Sequence, residues 1–281
     1  MLKAYFWNSA RDNAAQGTGI MIQIEKIMSL LETDYVGREI HYFEKLSSTN
    51  TVAKEEAKKG AKEGTTIIAE IQTQGRGRLK RLWVSPKGGV WLSLILKPEI
   101  EVEDAMKITL TTAVTVAKTL RSLYGLNAEI KWPNDVLIGN RKVCGILTEA
   151  SLNRKTAYSI VVGIGINANF TMKSLPGDLQ RTATTLMEVL KKSVDLEKLI
   201  CALLKEFENY YELLKKRKFE KLLKEWRGLA GFLGKKVEVT SFKERWAGKA
   251  IDIDENGVLI VELENGERKK VPSGDVTVQE V

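Results

Sequence analysis

Residues 128–150 read AEIKWPNDVLIGNRKVCGILTEA. AEIK alternates apolar and polar positions, Pro133-Asn134 interrupts it, VLI resumes it, Gly139-Asn140 turns it, and KVCGIL carries it on. The spacing predicts strand, turn, strand, two-residue hairpin and strand. A meander of this kind needs a second layer over one face, because its apolar positions must be buried. The chain supplies candidates on both sides. Residues 103–124 place Met106, Leu110, Ala113, Ala117, Leu120 and Leu123 on one helical face. TAYSIVVGIGINANF (156–170) reads as a further strand that pairs or packs nearby, and residues 195–228 as one or two amphipathic helices rich in Leu, Lys and Glu.

Towards the N-terminus, IQIEKIMSLL (22–31) has helical spacing at Ile24, Ile27, Met28 and Leu31, and REIHYFEKL (38–46) suits a strand. SSTNTVAKEEAKKG (47–60) is a Ser/Thr cap leading into a helix that Gly60 ends. TTIIAEIQ (65–72) and GGVWLSLILKP (88–98) are apolar strands. Residues 1–20 show no clean periodicity and are expected outside the fold; a natural start at Met21 would explain this. Composition shifts near Gly234. The remainder alternates polar and apolar residues, with turn signals at Asn256-Gly257 and Asn265-Gly266, and predicts a small β unit docked on the main domain. The expected organisation is a domain over 21–232, with mixed α/β architecture, and a C-terminal β unit over 233–281.

Bulk properties narrow the function classes. The 281 residues carry a net charge of +8, which permits DNA, RNA, phosphate or an acidic protein as partner without choosing among them. No apolar run reaches the roughly 18 residues of a membrane span, and the first residues lack the apolar core of a secretory signal, so a cytoplasmic protein is expected. Two distant cysteines, Cys144 and Cys201, read as reduced core residues, and the single His41 argues against a His-ligated metal.

Three stretches carry chemistry. QTQGRGRLKRLW (72–83) has four cations between Gly75 and Arg81, and no carboxylate occurs from Ile71 to Pro98. It reads as a nucleic-acid hook, a solvated loop or a mobile clamp for an anionic ligand; the flanking strands pin its ends. KWPND (131–135) holds a lysine, an amide and a carboxylate on a short stiff segment, or is a plain turn before a strand. Lys142 enters an apolar strand, as a partly desolvated cation or as an exposed edge guard. GIGIN (163–167) lacks the third glycine and following helix of a dinucleotide fingerprint, and no GxxxxGK[ST] occurs, so ATP would be bound without a Walker loop.

SSTN, QTQGRGR, KWPND, RKVCGILTE and GIGIN, in that order and followed by a small β domain, resemble the biotin–protein ligases. The resemblance covers the chain from about Arg38 to the C-terminus. It implies a mixed central sheet with flanking helices, related to the class II synthetase-like and lipoate-ligase folds, with an SH3-like C-terminal barrel. It also implies a two-step reaction: biotin and Mg-ATP give biotinyl-AMP and pyrophosphate, and the ε-amine of a lysine on a biotin carboxyl carrier domain then displaces AMP. Ser48, Thr49, Asn50 and Gln72 are implied at the biotin ureido ring, with Gly75, Arg76, Gly77, Gly145, Ile146 and Gly163 around the ring and valeryl chain. Lys142 is implied at the biotin carboxylate. Arg76 and Arg78 would close over the α-phosphate, Lys131 would stabilise charge at the reacting centre, Asn134 and Asp135 would lie on the nucleotide and metal side, and Asn167 and Trp83 would bind nucleotide. The implied catalytic set is Lys131, Arg78, Lys142 and Asp135, with magnesium arriving on ATP near Asp135 rather than held by dedicated side chains.

After GRGR many relatives continue Arg-Gly-Arg-x-Trp. Here Leu79-Lys80-Arg81-Leu82-Trp83 keeps Arg81 and Trp83 in register but loses a cation at Leu79. Trp83 and Trp132 also suit the core. Too few residues precede Ser48 for a winged helix, which needs on the order of 60, so a monofunctional ligase without specific nucleic-acid binding is expected. The strand over 142–150 offers an edge for a homodimer. The competing readings are a lipoate–protein ligase of the same fold, a basic nucleic-acid-binding protein with a β tail, and a biotin-binding module without catalysis.

Overall fold

The computed structural model describes residues 3–6, 21–98, 105–152, 158–240 and 245–278. In chain order the elements are β1 (Lys3–Phe6), α1 (Ile24–Leu30), β2 (Glu39–Leu46), α2 (Thr49–Lys58), β3 (Thr66–Gln72), β4 (Val90–Leu96), α3 (Ala105–Tyr124), β5 (Ala128–Lys131), β6 (Asp135–Ile138), β7 (Arg141–Leu152), β8 (Tyr158–Ile166), α4 (Gly177–Thr182), α5 (Leu186–Leu190), α6 (Leu196–Lys215) and α7 (Phe219–Leu229). Strands β9 (Lys236–Thr240), β10 (Arg245–Ile253), β11 (Leu259–Glu262), β12 (Arg268–Val271) and β13 (Asp275–Val278) follow.

The meander forms as its sequence predicts. β5, β6 and β7 pair antiparallel, and Gly139 and Asn140 both take positive φ (55° and 61°) in the two-residue turn between β6 and β7. The Trp132–Pro133 peptide is cis. The sheet runs β1-β2-β3-β4-β8-β7-β6-β5, with parallel pairing at β1–β2 and β2–β3 and antiparallel pairing elsewhere. One face packs on α3, itself backed by α6 and α7. Leu199, Leu203, Leu204, Phe207 and Tyr211 of α6 are fully buried, each side chain contributing about 1.5–3 kcal/mol by leaving water. At the other face α2 lays Ala53 and Ala57 over Ile67, Ile95 and Val161.

The second sheet, β12-β11-β10-β9-β13, is antiparallel throughout. It is docked rather than tethered. Trp132, buried between the sheets, donates Nε1–H to the Gly257 carbonyl at 3.0 Å. Gly257, at φ +80°, lies so close to Leu110 of α3 that a Cβ would come within 2.5 Å.

Three expectations need correction. Lys3–Phe6 is not outside the fold: it pairs in register with Glu39–Tyr42, because β2 would otherwise present an open edge. Residues 7–20 lie outside the described residues. Leu123 does not share the buried face of α3; it is 41% exposed, one turn past the buried Leu120 where the helix runs off the sheet. The strand over 142–150 is not a free edge along its length, since Arg141–Gly145 already pairs with β6. Among the described residues, only the stretch beyond Ile146 has β8 on one side and no strand on the other.

Candidate active site

The face of the sheet turned away from α3 has a hollow beside α2, because three strand positions carry no side chain. Gly145 of β7 pairs with Gly165 of β8, and Gly163 pairs with Leu147, so the three glycines share one face. The space above them is occupied. A Cβ on Gly145 would come within 2.8 Å of the Trp83 ring, one on Gly165 within 2.5 Å of Trp83 Nε1, and one on Gly163 would overlap Asn50. Over this hollow lies a cavity of about 1120 Å³, larger than the roughly 300–1,000 Å³ of a pocket for one drug-sized ligand.

The basic stretch forms a flap across it. Gln72 and Ser85 bridge at its root, Gly75 O accepts Trp83 N–H at 2.8 Å, Arg76 pairs with Leu82, and Gly77 N–H reaches Arg81 O at 2.8 Å. Its tip holds two consecutive non-glycine residues at positive φ, Leu79 (55°) and Lys80 (59°), a conformation that costs about 1–2 kcal/mol per L-residue.

Beside the flap root, a chain of polar contacts forms the floor. Ser93 Oγ, on β4, lies 2.7 Å from Thr49 Oγ1 and 2.6 Å from Asn50 Oδ1. Thr49 donates its N–H (2.8 Å) and hydroxyl (3.1 Å) to Gln72 Oε1, and Gln72 Nε2 donates to Ser85 Oγ at 2.8 Å. Asn50 donates to Leu147 O at 3.1 Å and to Glu149 Oε2 at 2.8 Å. Both amide protons of Asn50 are therefore engaged by protein, which makes it a brace for the floor more than a ligand donor. Ser48 occupies the N-cap of α2 without making a cap bond and lines the cavity.

The charges are arranged as pairs. Lys142 Nζ lies 2.6 Å from Asp135 Oδ1, an ion pair without well-aligned hydrogen-bond geometry, and 5.0 Å from the Trp83 ring centroid. Arg76 reaches Glu149 at 3.0 Å. Arg78 donates to Asn134 Oδ1 and to Gly274 O, both at 3.1 Å, and lies 3.6 Å from Asp275; Arg81 lies 2.5 Å from the same carboxylate. Burial lowers the Arg78 pKa, partly offset by Asp275 and Asp135. Lys131 lines the cavity, and among the described residues it has no carboxylate partner. Its strand position is directly opposite Asp135 across the KWPND turn.

Ser48, Thr49, Asn50, Gln72, Arg76, Gly77, Arg78, Trp83, Lys131, Asn134, Asp135, Lys142, Gly145, Ile146, Gly163 and Asn167 all line this one cavity. Gly75 does not; it is glycine because a Cβ would meet the Trp83 carbonyl, so its place is in the flap backbone rather than against a ligand. Asn167 is 3% exposed and ties β8 to the chain before α5 through Thr184 O at 3.1 Å, so part of its role is structural. Asp135, expected near a metal, is the counter-ion of Lys142. Trp132 is core, and Trp83 is a cavity wall whose buried indole N–H has no acceptor among the described residues. The sequence reading missed Ser93, the wall made by Leu175, Leu179 and Thr182, and the C-terminal contribution of Lys235, Lys236, Asp275 and Thr277.

The profile of the biotin/lipoate A/B protein ligase family matches residues 42–167, and that of the biotin protein ligase C terminal domain matches residues 232–278. This chain belongs to the biotin protein ligase family. It is 37% identical over 247 residues to the bifunctional ligase/repressor BirA of Bacillus subtilis, across 88% of this chain and 76% of that protein. It is 30% identical over 215 residues to the biotin–[acetyl-CoA-carboxylase] ligase of Paracoccus denitrificans, across 75% and 88% of the two. The biotin protein ligase of Aquifex aeolicus, solved in complex with biotin and ATP, matches with a TM-score of 0.76 and 29% identity, across 86% of this chain and 99% of that one. Lys80 at the flap tip, with φ of 59°, holds a conformation that glycine would take without strain.

Proposed function

We propose that the protein is an ATP-dependent biotin–protein ligase. The observation that carries the reading is the meeting, in one cavity, of a hydrogen-bonding floor with Arg78, Lys131 and Lys142. A ureido ring both donates and accepts, and the Ser48, Thr49 and Gln72 groups answer it in kind. A carboxylate attacking a triphosphate brings anions together, which cations must offset. In the first step a biotin carboxylate oxygen bonds to the α-phosphorus of ATP, and the bond to the β-phosphate oxygen breaks, releasing pyrophosphate with magnesium. Lys142 orients the carboxylate, Lys131 stabilises charge at the reacting phosphorus, and the flap arginines hold the adenylate away from water. In the second step a lysine ε-amine of a biotin carboxyl carrier domain attacks the acyl carbon, AMP leaves, and the amine gives up a proton. Trp83, whose indole N–H has no acceptor among the described residues, suits the nucleotide side.

The direct test is incubation with biotin, Mg-ATP and a carrier domain. One biotinyl group added to the domain's lysine is expected; no mass gain and no pyrophosphate would refute the reading. Lipoate is disfavoured because its apolar dithiolane can neither donate to nor accept from the polar floor, whereas a ureido ring can do both. Calorimetric titration with both acids separates them.

The proposal is confined to ligation, with 21–232 as catalytic part, 233–281 as accessory unit and the cytoplasm as compartment. No helix among the described residues is long and apolar enough to cross a membrane. Among the described residues before β2 there is one seven-residue helix, packed on α6; ligation without specific nucleic-acid binding is proposed, and tight operator binding would overturn this part. A homodimer through the unpaired stretch of β7 beyond Ile146 is proposed in the same way, and sedimentation decides it.

A further inference from the structure

The glutamate that closes RKVCGILTE lies outside the cavity lining. Glu149 sits on β7, two and four residues beyond Leu147 and Gly145, and so on the same face as the glycine hollow. Its two oxygens serve different elements. Oε1 accepts from Lys54 of α2 at 2.8 Å. Oε2 accepts from Asn50 Nδ2 at 2.8 Å and from Arg76 of the flap at 3.0 Å. A single oxygen atom thus joins the floor of the cavity to its cover. From Asn50 the polar chain continues through Ser93, Thr49 and Gln72 to Ser85, the far root of the flap. The carboxylate side chain is 22% exposed. Burial alone would raise its pKa, but Lys54, Asn50 and Arg76 together hold it below the ordinary range, so it is ionised at neutral pH.

We propose that Glu149 is a positioning residue for the adenylation site: through Oε2 it couples the order of the flap to the brace under the biotin ring. This rests on the ligase reading above. The floor and the flap are set by separate bonds to the same carboxylate, so they can be separated by substitution. Gln at 149 keeps an oxygen for Asn50 and loses the ion pairs with Arg76 and Lys54; Ala loses all three. Arg76 then has two partners at different times, Glu149 and the substrate phosphate, while Glu149 keeps Asn50 in place throughout.

The test uses the full chain and two readouts. Hydrogen exchange at the Gly77 and Trp83 amides, both bonded within the flap, is measured on the protein alone, so it judges the tie even if biotin ligation itself proves wrong. Glu149→Gln should speed exchange there roughly fivefold or more, with the core strands unchanged. Biotinyl-adenylate release should then rise roughly fivefold in Glu149→Gln with the biotin KM within about twofold of wild type, and both should rise in Glu149→Ala. Arg76→Ala combined with Glu149→Gln should release adenylate no faster than Arg76→Ala alone. Flap exchange within twofold of wild type in Glu149→Gln would overturn the proposal. So would a biotin KM that rises equally in the Gln and Ala variants, which is the signature of general loosening.

Discussion

Gly163→Ala tests the account of the floor most directly. Gly163 lies in an ordinary strand conformation, so the substitution adds no backbone strain; the whole effect is the new methyl. That methyl would overlap the Asn50 side chain, and Asn50 cannot move without breaking bonds to Ser93 (2.6 Å), Leu147 O (3.1 Å) and Glu149 (2.8 Å). Two are neutral, at about 1 kcal/mol each, and the bond to the ionised Glu149 is worth about 1.5–3 kcal/mol. Backbone relaxation would recover part of this, since overpacking by one methyl costs about 1–3 kcal/mol on its own. The expected loss is therefore about 2–4 kcal/mol, read as a fall in the denaturation midpoint with an unchanged slope, and biotin affinity should fall with it. Asn50→Ala alone should cost about as much, by removing the brace. The double variant, with the amide gone and the methyl accommodated, should be no less stable than Asn50→Ala. Additive losses in the double variant, or a Gly163→Ala loss under about 0.5 kcal/mol, would refute the claim that the floor is set by Asn50 against this glycine.

Other predictions follow from the same geometry. Lys131→Ala should slow adenylate formation on the order of 10²-fold, measured by pyrophosphate release; a rate within twofold of wild type removes its role. Arg78→Gly, which deletes the bonds to Asn134 and Gly274, should speed escape of biotinyl-AMP by about tenfold or more, and an unchanged off-rate counts against the clamp. Trp132→Phe leaves the buried Gly257 carbonyl without its donor and should cost about 1–3 kcal/mol in chemical denaturation. The Glu149 pKa is depressed in the folded state, so its contribution is present above the ordinary carboxylate value of about 4.3 and is lost as pH falls through the folded value. Flap exchange, corrected for intrinsic rate, should therefore be flat across neutral pH and rise only in acid; a midpoint near neutrality would contradict the pairing.

The sequence made the sheet legible because its strands are bounded by strong turn residues and its helices are long and periodic. Cavity-lining residues were legible where short motifs sit at strand ends, as at Lys131 and Lys142. What stayed hidden shares a physical cause. Ser93 lies inside an apolar run that reads as core, and only pairing with Gly163 shows that it faces the hollow. Asp275 is 197 positions from Arg78, and nothing local in GDVTV marks it as a partner for the flap. The 171–183 wall is built of short elements with no period to detect. Gly75 was read as a ligand contact because a glycine beside arginines does not say whether ligand or backbone comes close.

The charge arrangement explains why a small β unit belongs to this site. Arg76, Arg78, Arg81, Lys131 and Lys142 converge on one cavity, and unit charges about 5 Å apart repel by roughly 3 kcal/mol at an effective dielectric of about 20. The catalytic domain answers two of the five, with Glu149 on β7 and Asp135 on β6. The flap tip has no carboxylate of its own and none nearby in sequence. Asp275 of β13 fills that need, holding both Arg78 and Arg81 while the Gly274 carbonyl takes a further N–H from Arg78. Cations outnumber carboxylates around the cavity, and among the described residues Lys131 has no carboxylate partner, so the site carries an excess of positive charge suited to an anion. The β unit is therefore a wall of the cavity, whose Asp275 carboxylate and Gly274 carbonyl supply the counter-charge and acceptor that the cationic flap lacks in its own domain.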